Sequence, residues 1–272
     1  MSEFREMYVF GDSIAKGVVW SEAHQRYMIS RQGCVRLLAG HVPYPVYNRS
    51  VMGATAAQCL RELDPSVIRP GTACVFEFGG NDCDMDWASV SKDPCAAHQP
   101  KVPLNEFKRC LSRLIALTRT MGGFPILVTP LPLSGERYLR WVSRGLDENR
   151  ILQYLGEPAE MARWQERWAR AAAEVAMKED VMLVDLRDAM LRSRRFLSLY
   201  CPDGIHPNED GQAYLLDTLL RDYLNTGSSR IACPLFCLRQ PEARAPAVLC
   251  FTAFPGRRFS ASGLTYPSAM IK

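Results

Sequence analysis

The stretch Met7-Tyr-Val-Phe10-Gly11-Asp-Ser-Ile14 decides how this chain is organised. Its apolar, β-prone run over residues 7–10 stops at a glycine and two polar residues, a pattern typical of a strand that runs into a turn. A helix is expected to begin after Ser13, so the serine stands where a strand passes into a helix. Its hydroxyl can then project from the end of the strand.

Three further short motifs belong with this one: Val51-Met-Gly53, Gly79-Gly-Asn-Asp82 and Asp203-Gly-Ile-His-Pro207. The first two follow β-prone runs, and the last lies in a loop before the closing helix. In an open α/β sheet the carboxyl ends of the strands share one edge, and ligands bind in the crevice there. We therefore expect a serine, a glycine, an asparagine and an Asp-x-x-His to converge. Together they could supply a nucleophile, oxyanion donors, a base and an orienting carboxylate for acyl transfer.

Strand and helix signals alternate along the chain, which favours a parallel sheet built from βαβ units. Strands are predicted over 7–10, 46–51, 73–78, 125–129 and 181–185, and helices over 55–63, 104–121, 160–178 and 208–224. The continuous apolar run over 73–78 is typical of a strand buried on both faces. We expect one domain over 1–225, which is an ordinary size for an α/β fold.

The four motifs resemble, in their residues and in their order, those of the GDSL, or SGNH, hydrolase family. The resemblance covers roughly residues 5–225, and Ile14 in place of leucine is a mild departure. It implies a flavodoxin-like, three-layer α/β/α fold. It also implies hydrolysis of an ester or thioester without a cofactor, but it does not name the substrate.

The resemblance also assigns roles to residues at the matching motif positions. Ser13 is the expected nucleophile, His206 the general base, and Asp203 the carboxylate that orients the histidine. The expected oxyanion donors are the backbone N–H groups of Ser13 and Gly53 and the side-chain amide of Asn81.

Structural alternatives stay open for most of these positions when the residues are considered alone. Ser13 fits a simple helix N-cap, and Asp203 fits a carboxylate that caps its own turn through Gly204. Gly53 fits a plain turn after a strand. Asn81 fits a loop residue that bonds to its own backbone.

Composition separates a near-neutral body from a basic tail. Residues 227–272 hold six basic residues and one acidic residue. The rest of the chain, called the body here, has 27 basic and 28 acidic residues, so its formal net charge is about −1. A body with this charge lacks the excess of basic residues that is typical of nucleic-acid-binding proteins. The Pro-, Arg- and Cys-containing tail over 226–272 shows no clear period, and we interpret it as disordered or loosely docked, with a functional appendage as the alternative.

Cysteine usage and the first residues favour the cytoplasm. No charged start with an apolar run precedes Phe4, so we expect no signal peptide. No run of eighteen apolar residues that could span a bilayer is present in the sequence. Ten cysteines in a protein that is not secreted are typical of reduced thiols. Asp12 and Asp82 are interpreted as carboxylates that hold turns, and Cys233 and Cys237 lack further ligands nearby. We therefore expect no metal and no cofactor.

Two connections are longer than the scaffold needs, over 83–103 and 134–158. Trp87 and His98 in the first are candidate substrate-binding residues: the tryptophan to stack on a sugar or wall an acyl slot, the histidine to bond a hydroxyl. The alternative is a surface loop anchored by Trp87. Tyr138, Trp141 and Tyr154 in the second are candidate pocket residues. Trp164 and Trp168, four residues apart on a helix, are expected in the core.

The sequence thus predicts a serine esterase acting on a small-molecule substrate, with a preference for a small polar ester such as an O-acetylated carbohydrate. A lysophospholipase or acyl-thioesterase on the same fold is the alternative within this class. A non-catalytic ligand-binding protein of flavodoxin-like fold is the alternative from another class. Nucleotide binding is disfavoured because neither a G-x-G-x-x-G nor a P-loop motif follows a strand.

Overall fold

The computed structural model describes residues 4–224. Seven strands occur within them: Glu6–Gly11 (β1), Val18–Ser21 (β2), Arg26–Ile29 (β3), Val46–Asn48 (β4), Thr72–Glu77 (β5), Phe124–Val128 (β6) and Met182–Val184 (β7). Five of them form a parallel sheet in the order β4-β1-β5-β6-β7. The strands β2 and β3 form a separate antiparallel hairpin.

Ten α-helices lie in the same described range: Ser13–Lys16 (α1), Cys34–Leu38 (α2), Ala56–Glu62 (α3), Trp87–Lys92 (α4), Leu104–Thr120 (α5), Gly135–Val142 (α6), Glu148–Leu155 (α7), Ala159–Lys178 (α8), Leu186–Arg192 (α9) and Glu209–Leu219 (α10). A short π-helical turn, Leu220–Leu224, follows α10.

The sheet is buried on both faces, which makes the fold a three-layer α/β/α sandwich. Tyr8 and Phe10 of β1 pack with residues of α3, α5 and α8 on one face. Their neighbours Met7 and Val9 pack with residues of α2, α9 and α10 on the other. Because successive side chains of a strand point to opposite faces, a strand covered on both sides must be apolar throughout. The expected fold class is confirmed.

The predicted long elements lie within a few residues of the observed ones. The helix expected over 104–121 is observed over Leu104–Thr120, and the one expected over 160–178 over Ala159–Lys178. The strand expected over 46–51 is shorter, Val46–Asn48, because the chain then bends into the Gly53 turn. Thr55 caps α3 by accepting a hydrogen bond from the Gln58 N–H, at 3.2 Å.

A third apolar cluster forms a roof beside the sheet edge. It is built by α4, α6, α7 and the start of α8, and its buried members are Met85, Val90, Leu133, Leu139, Ile151 and Met161. The two long connections expected as loops, over 83–103 and 134–158, therefore contain α4, and α6 with α7, respectively. Helices of six to eight residues show too few turns for a 3.6-residue period to stand out in sequence.

The predicted tail, residues 226–272, lies outside the described residues, so the division at residue 225 stays a prediction. Among the helices of residues 4–224, none combines the length and apolar composition that a bilayer span requires. All seven cysteines within that range are free thiols.

Gly211 is the point where α10 presses against the chain that precedes it. A Cβ at this position would overlap the carbonyl oxygen of Leu199 and lie 2.8 Å from the Cβ of Pro207. We expect Gly211→Ala to reduce the free energy of unfolding by about 1–3 kcal/mol, the usual cost of overpacking, as measured by denaturant unfolding. Gly40→Ala is the matched control, since its nearest neighbour would be the Leu37 oxygen at 3.4 Å. Equal unfolding midpoints for the two variants would contradict this account.

Candidate active site

Ser13 begins α1 directly after β1 ends, and its side chain is buried. The N-cap of this helix is Asp12, whose carboxylate accepts a hydrogen bond from the Ile14 N–H at 2.8 Å. The capping role that the sequence left open for Ser13 therefore belongs to Asp12. The serine hydroxyl remains free for another partner.

That partner is His206, 193 residues further along the chain. The Ser13 Oγ lies 2.8 Å from the His206 Nε2. The His206 Nδ1 lies 2.7 Å from the Asp203 Oδ2. All three side chains are buried, Asp203 completely.

The carboxylate of Asp203 fixes both the turn and the imidazole. Its Oδ1 accepts the N–H groups of Ile205, at 2.9 Å, and of His206, at 3.0 Å, while its Oδ2 faces the ring. One oxygen thus caps the turn, through Ile205 and His206 and not through Gly204, while the other faces the imidazole. Burial tends to raise the pKa of Asp203, but hydrogen bonds and charge from His206 outweigh it and lower that pKa. The ionised carboxylate only accepts, so the His206 Nδ1 donates and Nε2 is left to accept from Ser13.

Gly53 lies in a turn beside the end of β1. The Val51 N–H donates to the Gly11 oxygen at 3.0 Å, which holds this turn against the strand. Gly53 has φ +79°, a conformation that favours glycine, while a Cβ built there has no protein atom within 4 Å. Backbone conformation, and not contact with neighbouring protein atoms, therefore explains the glycine.

Asn81 is tied to the nucleophile turn and not to its own backbone. Its Nδ2 donates to the Asp12 Oδ2 at 2.9 Å. An amide nitrogen carries two hydrogens, so one N–H remains to point elsewhere. Asn81, Gly53, Ser13 and His206 all line the same cavity.

Three buried carboxyl groups support these loops. The Glu77 Oε2 accepts the Asp12 N–H at 3.4 Å, and burial followed by the charge of Asp12 raises the pKa of Glu77 well above its usual value. Burial also raises the pKa of Asp12, but the donors from Ile14 and Asn81 favour its ionised form. We therefore regard Glu77 as the neutral partner and Asp12 as the charged one.

Asp82 joins two loops at the sheet edge. Its Oδ1 accepts the Ala56 N–H at 3.0 Å, and its Oδ2 accepts the Gly79 N–H at 3.1 Å. Burial raises its pKa to about 7. Asp12 and Asp82 both hold turns in the way the sequence suggested. Within residues 4–224, no three His, Cys, Asp or Glu side chains group closely enough to hold a metal ion.

Tyr27 of β3 reaches the same site, although no sequence signal pointed to it. Its hydroxyl donates to the Asp203 Oδ2 at 2.8 Å, and its ring centroid lies 4.9 Å from that of His206. The hairpin that carries it was not among the predicted elements. A Tyr in the Arg26–Ile29 run could have been found only by recognising that hairpin first.

The cavity in front of Ser13 has a volume of about 470 Å³ and extends under the roof. Apolar side chains contributed by the roof cover one part: Met85, Leu133, Val142, Leu155 and Met161. Aromatic side chains cover another: Tyr27, Trp87, Tyr138, Trp141, Tyr154 and Trp164. Lysine and arginine are absent from the lining as far as residues 4–224 contribute to it.

Trp87 lines this cavity and is fixed in place by Asp84. The Asp84 Oδ1 accepts from the Trp87 Nε1 at 2.8 Å and from the Tyr138 hydroxyl at 2.7 Å, and Lys101 pairs with the Oδ2 at 2.8 Å. His98 is not among the lining residues. Its Nε2 lies 2.7 Å from the carbonyl oxygen of Asp93 in its own loop, so the expected contact with a substrate hydroxyl is not supported.

The two tryptophans expected in the core differ in what they face. Trp168 of α8 is fully buried in the apolar cluster that also contains residues of the sheet and α5. Trp164 packs against it but also lines the cavity, with its Nε1 donating to the Cys83 carbonyl oxygen at 2.8 Å. One turn of α8 thus links the core to the site.

Comparison with known proteins places these features in a family context. Residues 9–214 match the model of the GDSL-like lipase/acylhydrolase family. A search of curated proteins finds none that matches the chain.

Solved structures with the same fold are distant in sequence. The structure of TesA is 22% identical with a TM-score of 0.53, covering 79% of this chain and 98% of that one. The lipase/acylhydrolase from Enterococcus faecalis is 20% identical with a TM-score of 0.51, covering 79% and 95%. Axe2, an acetylxylan esterase from Geobacillus stearothermophilus, is 20% identical with a TM-score of 0.53, covering 81% and 95%. At sequence identities this low, these structures show that the chain shares their fold and nothing more specific.

Proposed function

Since the chain belongs to the GDSL-like lipase/acylhydrolase family and is a hydrolase acting on ester bonds, we propose that Ser13, His206 and Asp203 form its catalytic triad. The observation that supports this proposal is the buried chain of contacts from Ser13 to His206 to Asp203, at 2.8 and 2.7 Å, which opens into one cavity. A ligand-binding protein of this fold would need no such chain.

In the proposed reaction, the Ser13 Oγ attacks the carbonyl carbon of the ester while its proton passes to the His206 Nε2. Asp203 stabilises the imidazolium that forms, and its own protonation state does not change. The tetrahedral intermediate collapses, and the leaving oxygen takes the proton from His206. Water then attacks the acyl-serine with His206 again as base, which releases the carboxylic acid and restores Ser13.

Negative charge develops on the carbonyl oxygen during both attacks. The proposed donors are the N–H groups of Ser13 and Gly53 and the free N–H of the Asn81 amide. Their supports are in place before substrate binds: the Gly53 turn is held by the Gly11 oxygen, and Asn81 is held by Asp12. Donors that need no reorganisation stabilise a developing oxyanion most effectively.

The cavity favours an ester with an apolar, uncharged portion larger than an acetyl group. Its 470 Å³ lies within the range of small-molecule sites, about 300–1,000 Å³, and has to hold the acyl group and the alcohol of the ester together. Two of its four acidic lining residues, Asp84 and Glu160, pair with Lys101 and Arg163, at 2.8 and 2.6 Å. An anionic group that entered would lose its hydration without meeting a lining cation.

An acetylated carbohydrate is the second candidate substrate, favoured by the aromatic rings of the lining. Trp87 and Trp141 both lie there, and aromatic faces suit the apolar faces of sugars. A panel of p-nitrophenyl esters of rising chain length, run beside acetylated sugars, separates the two. A kcat/KM that peaks at a medium acyl chain supports the first, and a preference for acetylated sugar supports the second.

Ser13→Ala is expected to reduce kcat for ester hydrolysis by a factor on the order of 10⁶, because no other group can form the acyl-enzyme. It should also abolish labelling by a fluorophosphonate, measured by intact-protein mass. Ser112→Ala is the matched control, because its hydroxyl bonds to Glu179. A label on another serine would mean that Ser13 is not the nucleophile.

Asn81→Ala is expected to reduce kcat by about 10²–10³-fold, the usual loss for one oxyanion donor. KM should change little, since the contact strengthens as charge develops in the transition state. Steady-state kinetics on one ester measures both constants. A rise in KM at unchanged kcat would instead make Asn81 a ground-state binding residue.

Trp87→Ala is expected to alter the acyl-chain or sugar preference in kcat/KM, while a small fluorophosphonate still labels Ser13. His98→Ala is the matched control in the same segment, since His98 lies outside the lining. The ester panel above measures both variants. A uniform loss on every substrate, together with a lower Tm, would show that Trp87 only stabilises the roof.

A further inference from the structure

Asp203 has a second side-chain partner besides His206. The Tyr27 hydroxyl donates to the Asp203 Oδ2 at 2.8 Å, and this is the same oxygen that lies 2.7 Å from the His206 Nδ1. The other oxygen, Oδ1, is occupied by the N–H groups of Ile205 and His206. Tyr27 and the imidazole therefore share one acceptor atom.

The position of Tyr27 is fixed by its surroundings. In the hairpin it pairs with Trp20, and the two rings meet edge-on with centroids 5.2 Å apart. Trp141 of α6 lies 6.0 Å away on another side, and His206 lies at 4.9 Å. The Tyr27 ring thus contacts three other rings, which fix the position from which its hydroxyl reaches Asp203.

The hydroxyl acts only as a donor in this contact. A carboxylate can only accept, so the O–H must point at the Asp203 oxygen. Burial, and then the charge of Asp203, raise the pKa of Tyr27 well above its usual value. The proton therefore stays on the tyrosine across the pH range in which the enzyme would be assayed.

We propose that Tyr27 is a positioning residue of the triad, which holds Asp203 in line with His206 and limits the proton affinity of the imidazole. This inference rests on the proposed function of Ser13, His206 and Asp203. A donor on Oδ2 withdraws negative charge from the oxygen that attracts the imidazolium, so the protonated form of His206 is stabilised less. The base then stays unprotonated at a lower pH.

Other ionisable groups around the imidazole do not duplicate this effect. Ser13 and Asp12 face it from the turn at the end of β1. Cys201 precedes the histidine loop, and burial raises its pKa to about 11, so it is neutral near pH 7. Among the described side chains, only Tyr27 and His206 bond to Asp203.

The test is the pH dependence of kcat/KM in Tyr27→Phe, which removes the hydroxyl and keeps the ring. The apparent pKa of the acidic limb is expected to rise by about one unit, equivalent to about a tenfold change in proton affinity. Activity just below neutral pH should fall correspondingly and recover at higher pH. Tyr214→Phe is the matched control, because its hydroxyl bonds to the Ala189 carbonyl oxygen and its side chain lines no part of the cavity.

A double-mutant cycle separates an effect through Asp203 from a packing effect. The rate of Ser13 phosphonylation by a fluorophosphonate is followed in Tyr27→Phe, Asp203→Asn and the double variant, since it is measurable in slow enzymes. If Tyr27 acts through the carboxylate, its removal should change nothing further in the Asp203→Asn background.

Two results would overturn the inference. One is an acidic limb that does not move in Tyr27→Phe, with activity lost equally at every pH. The other is the same fold-loss from Tyr27→Phe whether or not Asp203 is intact. Failure of the proposed triad is distinguishable, because Ser13→Ala or Asp203→Asn would then retain activity whatever Tyr27→Phe does.

Discussion

A buried carboxylate needs hydrogen-bond donors, and at Asp203 this requirement organises the site. Two backbone N–H groups fold the loop around one oxygen, and His206 and Tyr27 meet the other. The first pair sets the shape of the turn, which points the imidazole at Ser13. The second pair joins the turn to a hairpin almost 180 residues away in sequence. Satisfying one charge therefore fixes the orientation of His206, its tautomer and the wall of the cavity beside it.

The parallel sheet supplies the other half of the arrangement. Because all five strands run in one direction, the turns after β1, β4 and β5 lie at one edge. Asp12 then links the turn of Ser13 to Asn81, and Asp82 links the Gly79 turn to the start of α3. These carboxyls accept hydrogen bonds from the chain at both ends of each link. Their effect is to make the positions of the proposed oxyanion donors depend on each other.

The sequence was sufficient to predict what depends on period and on local motifs, and insufficient for what depends on tertiary contact. Continuous apolar runs and long amphipathic patterns located the sheet, α5 and α8. The hairpin was not predicted because its strands have only four residues and adjoin a turn without an Asn-Gly signal. Tyr27 could therefore not be identified from the sequence as a site residue. The N-cap of α1 was also open until the structure showed that Asp12, and not Ser13, fills it.

Chemistry and selectivity occupy different parts of the fold. The proposed nucleophile and oxyanion donors stand on turns that follow strands of the sheet, whereas the roof that covers them has its own apolar cluster. Asp84 is one connection between the two, since it follows the Asn81 motif closely and accepts hydrogen bonds from Trp87 and Tyr138 of the roof. A second is the hydrogen bond from the Ser134 N–H to the Gly204 oxygen, at 2.9 Å. Substitutions of roof side chains that line the cavity but contact neither Tyr27 nor the Asp203–His206 loop can therefore alter the volume of the cavity without moving Ser13 and His206. Under the proposed function, we therefore expect the choice of ester to depend on these roof side chains more than on Ser13, His206 and Asp203.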